Sequence, residues 1–162
     1  MQLYRLTRAK HAQDFSGEGA VRFPGRWHVK GSRVLYASTS QSLALSELAM
    51  QVHRKAWMVD LVWTVLEVPD EWWDGALAFD SVRVPESPLE SRAFGSAWLE
   101  AGETPMMRVP SALLSSKVAP GFCDVNVVLN VGRPDFCSAI RCADVMPLQV
   151  DPRFQRRMLD GG

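Results

Sequence analysis

Cysteine is scarce in this chain of 162 residues: Cys123, Cys137 and Cys142 are odd in number and irregularly spaced. They miss the spacing of a zinc knuckle, and His11, His28 and His53 form no paired motif with them, so free buried thiols are expected and no metal site. Net charge is also missing, since 18 basic and 18 acidic residues cancel. A neutral chain without a local basic patch offers no long-range field to a polyanion, which argues against direct nucleic-acid binding. There is no long hydrophobic run. The stretch Ala56 to Val68 is interrupted by Asp60 and Glu67 and falls short of the roughly 20 residues of a membrane helix. The opening MQLYRLTRAK lacks the apolar core of a secretory signal, so the expectation is a cytoplasmic protein with no membrane association. Phosphate loops are absent as well: Gly17, Gly19 and Gly25 miss the GxGxxG register, and no GxxxxGK[ST] occurs.

What is present is an ordinary globular composition, 47% hydrophobic and 22% charged, at a length suited to one domain. Leu3 to Thr7 reads as a first strand, followed by a surface loop through Gly17 and Gly19 to Phe23-Pro-Gly-Arg-Trp27. Gly31-Ser32 makes a turn, Arg33 to Ser38 reads as a strand, and a tight strand pair around Gly31 is expected. Ser40 caps a helix from Gln41 to about His53, with Ala44, Leu45, Leu48, Ala49 and Val52 along one face. Trp57 to Val68 predicts a long central strand stopped by Pro69, and Asp70 to Pro88 an irregular stretch. Ser91 to Ala101 predicts a helix ended by Gly102. Met107–Leu114, Val125–Asn130 and Cys137–Val145 are short strand candidates. Pro152–Gly162 predicts a short helix with a basic end, its Arg153, Arg156 and Arg157 locally unpaired. The pattern is α+β, with more strands than helices.

Six positions have side chains suited to chemistry. Arg26, between Gly25 and Trp27, sits where a ligand can approach the backbone while a guanidinium grips phosphates; on the tripeptide alone a solvated arginine, or one stacked on Trp27 for structure, is the default reading. Glu47 lies about 130° from the centre of the helix's apolar arc, which places it outside the core and leaves either solvent or a cleft as its surroundings. Tyr36, on an apolar strand, reads as a core aromatic with a wet hydroxyl. Ser111 follows Pro110 at a strand edge, and Asn126 opens a strand as a polar anchor or a turn residue. Trp27 serves either to exclude water from a cleft or to pack.

These positions occur in one order: Gly25-Arg26-Trp27, Val34-Leu35-Tyr36, Leu43-Ala44-Leu45-Ser46-Glu47, Val109-Pro110-Ser111, then Asn126-Val-Val-Leu-Asn130 and Arg133-Pro-Asp-Phe136. The order resembles the RES domain family, named for an arginine, a glutamate and a serine, here Arg26, Glu47 and Ser111, with Tyr36 at the family's tyrosine. The resemblance covers a core of about residues 3–144 and leaves 145–162 as a C-terminal extension of a single domain. His28 stands where the family often has Asn, Val131 where it often has Pro, and Arg133 begins the HPDF-like motif. None of these replaces a side chain proposed for chemistry.

The resemblance implies an ADP-ribosyltransferase-like mixed β-sheet with flanking helices, and a toxin that consumes NAD as its substrate while needing no other cofactor. It implies a cognate Xre-like helix-turn-helix antitoxin covering the site, and a homodimer. Cleaving the nicotinamide–ribose bond develops positive charge on the ribose, so a site needs a phosphate anchor, a platform for the leaving ring and a nearby carboxylate. Arg26, Tyr36 and Glu47 suit those roles. Ser111 joins them as a catalytic side chain that bonds the nicotinamide amide or orients the glutamate or ribose without being a nucleophile, and Trp27 and Asn126 are further substrate contacts. Water or phosphate as acceptor makes a glycohydrolase or phosphorylase. A protein side chain makes an ADP-ribosyltransferase, and a binding module without turnover is a third reading.

Overall fold

The computed structural model describes residues 1–51, 60–79, 87–113, 124–149 and 151–153. Strand β1 (Gln2–Arg8) leads through a 3-10 turn at Ala9–His11 to helix α1 (Glu18–Arg22), strand β2 (Val34–Ser38) and helix α2 (Gln41–Gln51). Strand β3 (Leu61–Glu67), helix α3 (Asp70–Asp74) and the short strand β4 (Leu77–Ala78) come next, followed by helix α4 (Pro88–Ala101). The last elements are β5 (Met106–Val109), β6 (Asn126–Asn130), helix α5 (Phe136–Ala139) and β7 (Arg141–Pro147). Among the described residues the strands make one mixed seven-stranded sheet ordered β4-β5-β6-β2-β1-β3-β7, with β4–β5 parallel and the other pairs antiparallel.

Period-two alternation sorts the strand side chains to two faces. Leu35, Ala37, Val127, Leu129 and Met106 join Leu3, Leu66, Trp72 and Phe136 in one core cluster. Val34, Val128, Met107 and Val109 point the other way and pack with Trp27 and Trp98. Each fully buried aliphatic side chain of this kind contributes about 1.5–3 kcal/mol of apolar burial. α4 covers the second face: it begins at Ser87, whose hydroxyl accepts the Leu89 N–H, and ends at Gly102 in the left-handed region. Its approach is close. A Cβ on Gly95 would sit 1.8 Å from the Trp27 carbonyl oxygen, so a glycine is required where α4 crosses the 27–28 segment.

The predicted Ser40 cap is present, with its hydroxyl accepting the Leu43 N–H at 3.2 Å. α2 buries Leu43 and Ala44 against β1 and β2. β3 is buried on both faces up to Leu66, which explains its apolar sequence, and it lies between β1 and the exposed edge strand β7. The one polar residue within that run, Thr64, donates its hydroxyl to the Ala12 carbonyl at 3.1 Å. Its expected beginning at 57–59, and the helix end at 52–53, lie outside the described residues.

Several local expectations are corrected. No strand lies directly before Gly31 to form a hairpin across it: residues 9–33 hold no strand, and β2 pairs with β1 and β6. The loop before Phe23 contains the 3-10 turn and α1, whose N-cap Gly17 offers no side chain to signal it. The stretch after Asp70 contains α3, held by buried Trp72, and β4, which pairs with β5. Cys137 lies in α5, and the strand assigned there starts only at Arg141. Cys137 is exposed and Cys142 half-buried, since β7 is an edge strand; Cys123 lies outside the described residues. Arg153 is paired with Asp151 at 2.8 Å, while Arg156, Arg157 and the rest of the predicted terminal helix are not among the described residues. No helix among the described residues is long and apolar enough to cross a membrane.

Candidate active site

β1 and β2 are neighbours through a single Cα pair, Tyr4 with Ser38. Away from it the two strands separate, and a cleft of about 490 Å³ opens between them, floored by β1 and β2 and walled by α1, α2 and the 23–28 segment. That volume suits a ligand of drug or nucleotide size. Arg26, Trp27, Tyr36, Glu47 and Asn126 all line it.

Glu47 reaches the cleft from the half-buried side of α2, which resolves the two surroundings its helical position allowed. Its Oε1 accepts two hydrogen bonds, from the Ser111 hydroxyl at 2.7 Å and the Asn126 amide at 2.6 Å. Asn126 is held in turn: the Ser38 hydroxyl donates to its Oδ1 at 2.7 Å, and that bond fixes which end of the amide faces Glu47. The register makes this possible, because Ser38 and Asn126 are cross-strand partners at the junction of β2 and β6. Ser111 is buried and does not line the cleft; its hydroxyl sits behind Glu47 and also accepts the Leu113 N–H at 3.1 Å. Among the described residues both of these donors go to Oε1.

The opposite wall is built on aromatic packing. Trp27 is 3% exposed and meets Phe79 and Phe94 edge-on at 4.9 and 6.5 Å, so packing is its main role. Its backbone N–H donates to the Tyr36 hydroxyl at 3.2 Å, and His28 Nδ1 lies 2.8 Å from the same oxygen. The Tyr36 hydroxyl is therefore hydrogen-bonded rather than wet, and burial pushes its pKa up to about 12 against the opposing pull of the Trp27 N–H. A Cβ on Gly25 would fall 2.5 Å from His28 and 2.8 Å from the Tyr36 oxygen. The Gly25 carbonyl accepts Arg92 Nε from α4 at 2.8 Å, which ties the Arg26 segment to the helix beneath it.

Three contributors escaped the sequence reading. Arg5 of β1 lines the cleft, anchored by donating to the carbonyls of His11 and Asp14 at 3.3 and 3.0 Å. Burial lowers its pKa from the ordinary arginine value while Asp14 pulls it back up, so it remains a cation in the wall. Ser38 and His28 complete the set. Arg5 and Ser38 carry no local signal, since they act through the separation of β1 from β2 and the pairing of β2 with β6, whereas His28 was visible only as a departure from the family pattern.

The RES domain profile matches residues 2–151 of the chain. A protein of Photorhabdus laumondii named Toxin Res is 30% identical over 159 residues, covering 95% of this chain and 97% of its own length. A Sphingobium protein named Prs ADP-ribosylating toxin is 29% identical, covering 93% of this chain and 92% of its own. Among solved structures, the M. tuberculosis MbcT-MbcA toxin–antitoxin complex contains a chain that superposes with a TM-score of 0.59 at 18% identity, over 97% of this chain and 87% of that one, a likeness of fold.

Proposed function

The chain belongs to the RES domain family, and from that premise we propose that it is the toxin of a toxin–antitoxin system that binds NAD in the cleft between β1 and β2 and breaks the nicotinamide–ribose bond. The observation that carries this reading is the Glu47 carboxylate, held at one oxygen by Ser111 and Asn126 while it lines the cleft. Two arginines, Arg5 and Arg26, share that cleft. Together they supply what the reaction requires, cations for a pyrophosphate and one oriented negative charge.

In the proposed reaction the bond from the ribose anomeric carbon to the pyridinium nitrogen breaks, and its electron pair neutralises the departing nicotinamide. The ribose becomes oxocarbenium-like, and an oxygen nucleophile forms a bond to the same carbon: water then releases a proton to solvent, whereas phosphate adds as the anion. A carboxylate about 4 Å from the developing cation, at an effective dielectric near 20, stabilises it by about 4 kcal/mol, worth roughly a thousandfold in rate if realised only in the transition state. An arginine–phosphate hydrogen bond adds about 1.5–3 kcal/mol of binding. Ser111, placed behind Glu47 and without a histidine partner among the described contacts, acts as an orienting donor rather than a nucleophile.

The acceptor is proposed to be water or inorganic phosphate, which would drain the cytoplasmic NAD pool and call for a cognate Xre-like antitoxin that covers the cleft. Transfer to a protein side chain is the second reading, favoured by the relative named Prs ADP-ribosylating toxin. Purified wild type and Glu47→Gln, incubated with NAD with and without phosphate, separate these by their products. Nicotinamide with ADP-ribose or its 1″-phosphate names the first acceptors. A mass increase on a target protein, with little free ADP-ribose, names the second. Absence of nicotinamide release after removal of any bound partner, with no target protein present, would bring transfer to a protein or a binding module to the front.

A further inference from the structure

The proton between His28 and Tyr36 can be followed atom by atom. His28 is buried, with Nε2 at 3.0 Å from the Phe23 carbonyl oxygen and 3.2 Å from that of Ala20. Two acceptors facing Nε2 require the ring hydrogen there. Nδ1 of the neutral ring is then a bare lone pair 2.8 Å from the Tyr36 oxygen, and only the hydroxyl can supply a proton to that contact. The oxygen itself accepts the Trp27 N–H at 3.2 Å. The hydroxyl proton is thus committed to His28, and what Tyr36 has left for the cleft is a lone pair.

We propose that His28 is a positioning residue that holds the Tyr36 hydroxyl as an acceptor, so that this point of the cleft takes an N–H or O–H donor of the substrate, such as a carboxamide or a ribose hydroxyl, and rejects a bare phosphate oxygen. The proposal deepens the NAD reading and rests on it for its substrate. Phosphates then belong to the arginine wall, and the two halves of the ligand are sorted by hydrogen-bond polarity.

The surroundings keep the pair in this state. The groups that face His28 are Tyr36 from β2, Arg92 from α4, and only carbonyl oxygens from α1 and the residue after it. Burial, with Arg92 adding to it, pushes the imidazole pKa below its ordinary value against the pull of the two carbonyls. A protonated ring would make Nδ1 a donor, force the Tyr36 proton outward, and invert the polarity of this point. Gly25 belongs to the same device, since any Cβ there would enter the space the pair occupies.

Two measurements test it. In ¹⁵N–¹H correlation spectra of the purified protein at about pH 7.5, above the ordinary histidine value, His28 should show the neutral tautomer protonated at Nε2. A ring protonated at Nδ1, alone or on both nitrogens, overturns the proposal whether or not the protein cleaves NAD. Turnover is then compared for wild type, His28→Leu, His28→Gln, Tyr36→Phe and the Leu/Phe double variant. His28→Leu should lose about tenfold in kcat/KM, the worth of one ordinary hydrogen bond. His28→Gln, able to accept from the hydroxyl while donating to a carbonyl, should recover most of that and should lack the wild-type loss of rate toward acid pH. In the Tyr36→Phe background the Leu change should cost little. An equal loss in both backgrounds would mean that His28 serves the fold and not the hydroxyl. Wild type without NAD cleavage would remove the functional reading and leave the tautomer to decide the hydroxyl's orientation.

Discussion

The Ser111 hydroxyl donates to Glu47 Oε1 at 2.7 Å, so a residue just past the end of β5 grips a side chain of α2 from behind the cleft. Because the Asn126 amide meets the same oxygen, removing Ser111 leaves the carboxylate with one donor and more freedom to rotate. Ser111→Ala should lower kcat by about tenfold with KM little changed, whereas Glu47→Gln, which keeps an oxygen for both donors but removes the charge, should lose about a thousandfold. Steady-state nicotinamide release reads both. A Ser111→Ala loss as deep as that of Glu47→Gln would give the hydroxyl a direct part in bond breaking.

The hydrogen bond from Ser38 to Asn126 is the next support outward, and both residues sit where β2 meets β6. Ser38→Ala would leave the Asn126 carbonyl oxygen without its donor in a largely buried place, at a cost of about 1–3 kcal/mol. Asn126→Asp should do more damage to activity than Ser38→Ala, since it replaces a donor with an oxygen 2.6 Å from the Glu47 oxygen. Urea unfolding and NAD turnover on both variants separate the two effects. Unchanged stability in Ser38→Ala would mean that water replaces the lost donor.

How much of this was legible in the sequence follows from which forces are local. The Ser40 cap depends on a neighbour three positions away and was legible. Of the apolar face expected on α2 only Ala44 is fully buried; Leu45, Leu48 and Ala49 are half-buried, and Leu43, outside that face, is the more buried because it packs on the sheet. The mostly apolar run of β3 reports burial on both faces directly. α1 was missed because Gly17 caps it with backbone alone, and β4 because Leu77 and Ala78 pair in parallel with β5, a partner far along the chain. The motif residues Arg26, Tyr36 and Glu47 were readable through their order and the family resemblance. Arg5 was not, since it joins them only because β1 and β2 part after Tyr4 and Ser38. Ser38 had no signal of its own for the same reason: its role depends on a register set by β6.

Gly95 tests the packing of the Trp27 wall apart from the chemistry. An added methyl would lie 1.8 Å from the Trp27 carbonyl oxygen, backbone that cannot swing aside, so α4 must shift or the segment must yield. Gly95→Ala should therefore destabilise by about 1–3 kcal/mol or more, despite alanine's better helix propensity. Gly25→Ala meets side-chain atoms of His28 and Tyr36 instead, and should depress activity more than stability. Thermal unfolding of the two variants beside their turnover checks the contrast. A stable Gly95→Ala would mean that α4 can ride outward at little cost.

His28 also ties stability to pH, and the sign follows from its burial. The folded state holds the imidazole pKa below the ordinary value, so between that lowered value and about 6.5 the unfolded chain binds more protons than the folded one. Stability should be fully present above about pH 6.5 and decline as pH falls through that window. Asp14 and Asp135, whose carboxyls are held below the usual range by Ser16 and Arg133, take up their protons at lower pH, below this window. Urea midpoints for wild type and His28→Gln across about pH 5 to 8 read the difference directly: the wild-type midpoint should drop toward the acid end, and the Gln variant should stay flatter. Parallel curves would show that folding does not lower the proton affinity of the buried imidazole.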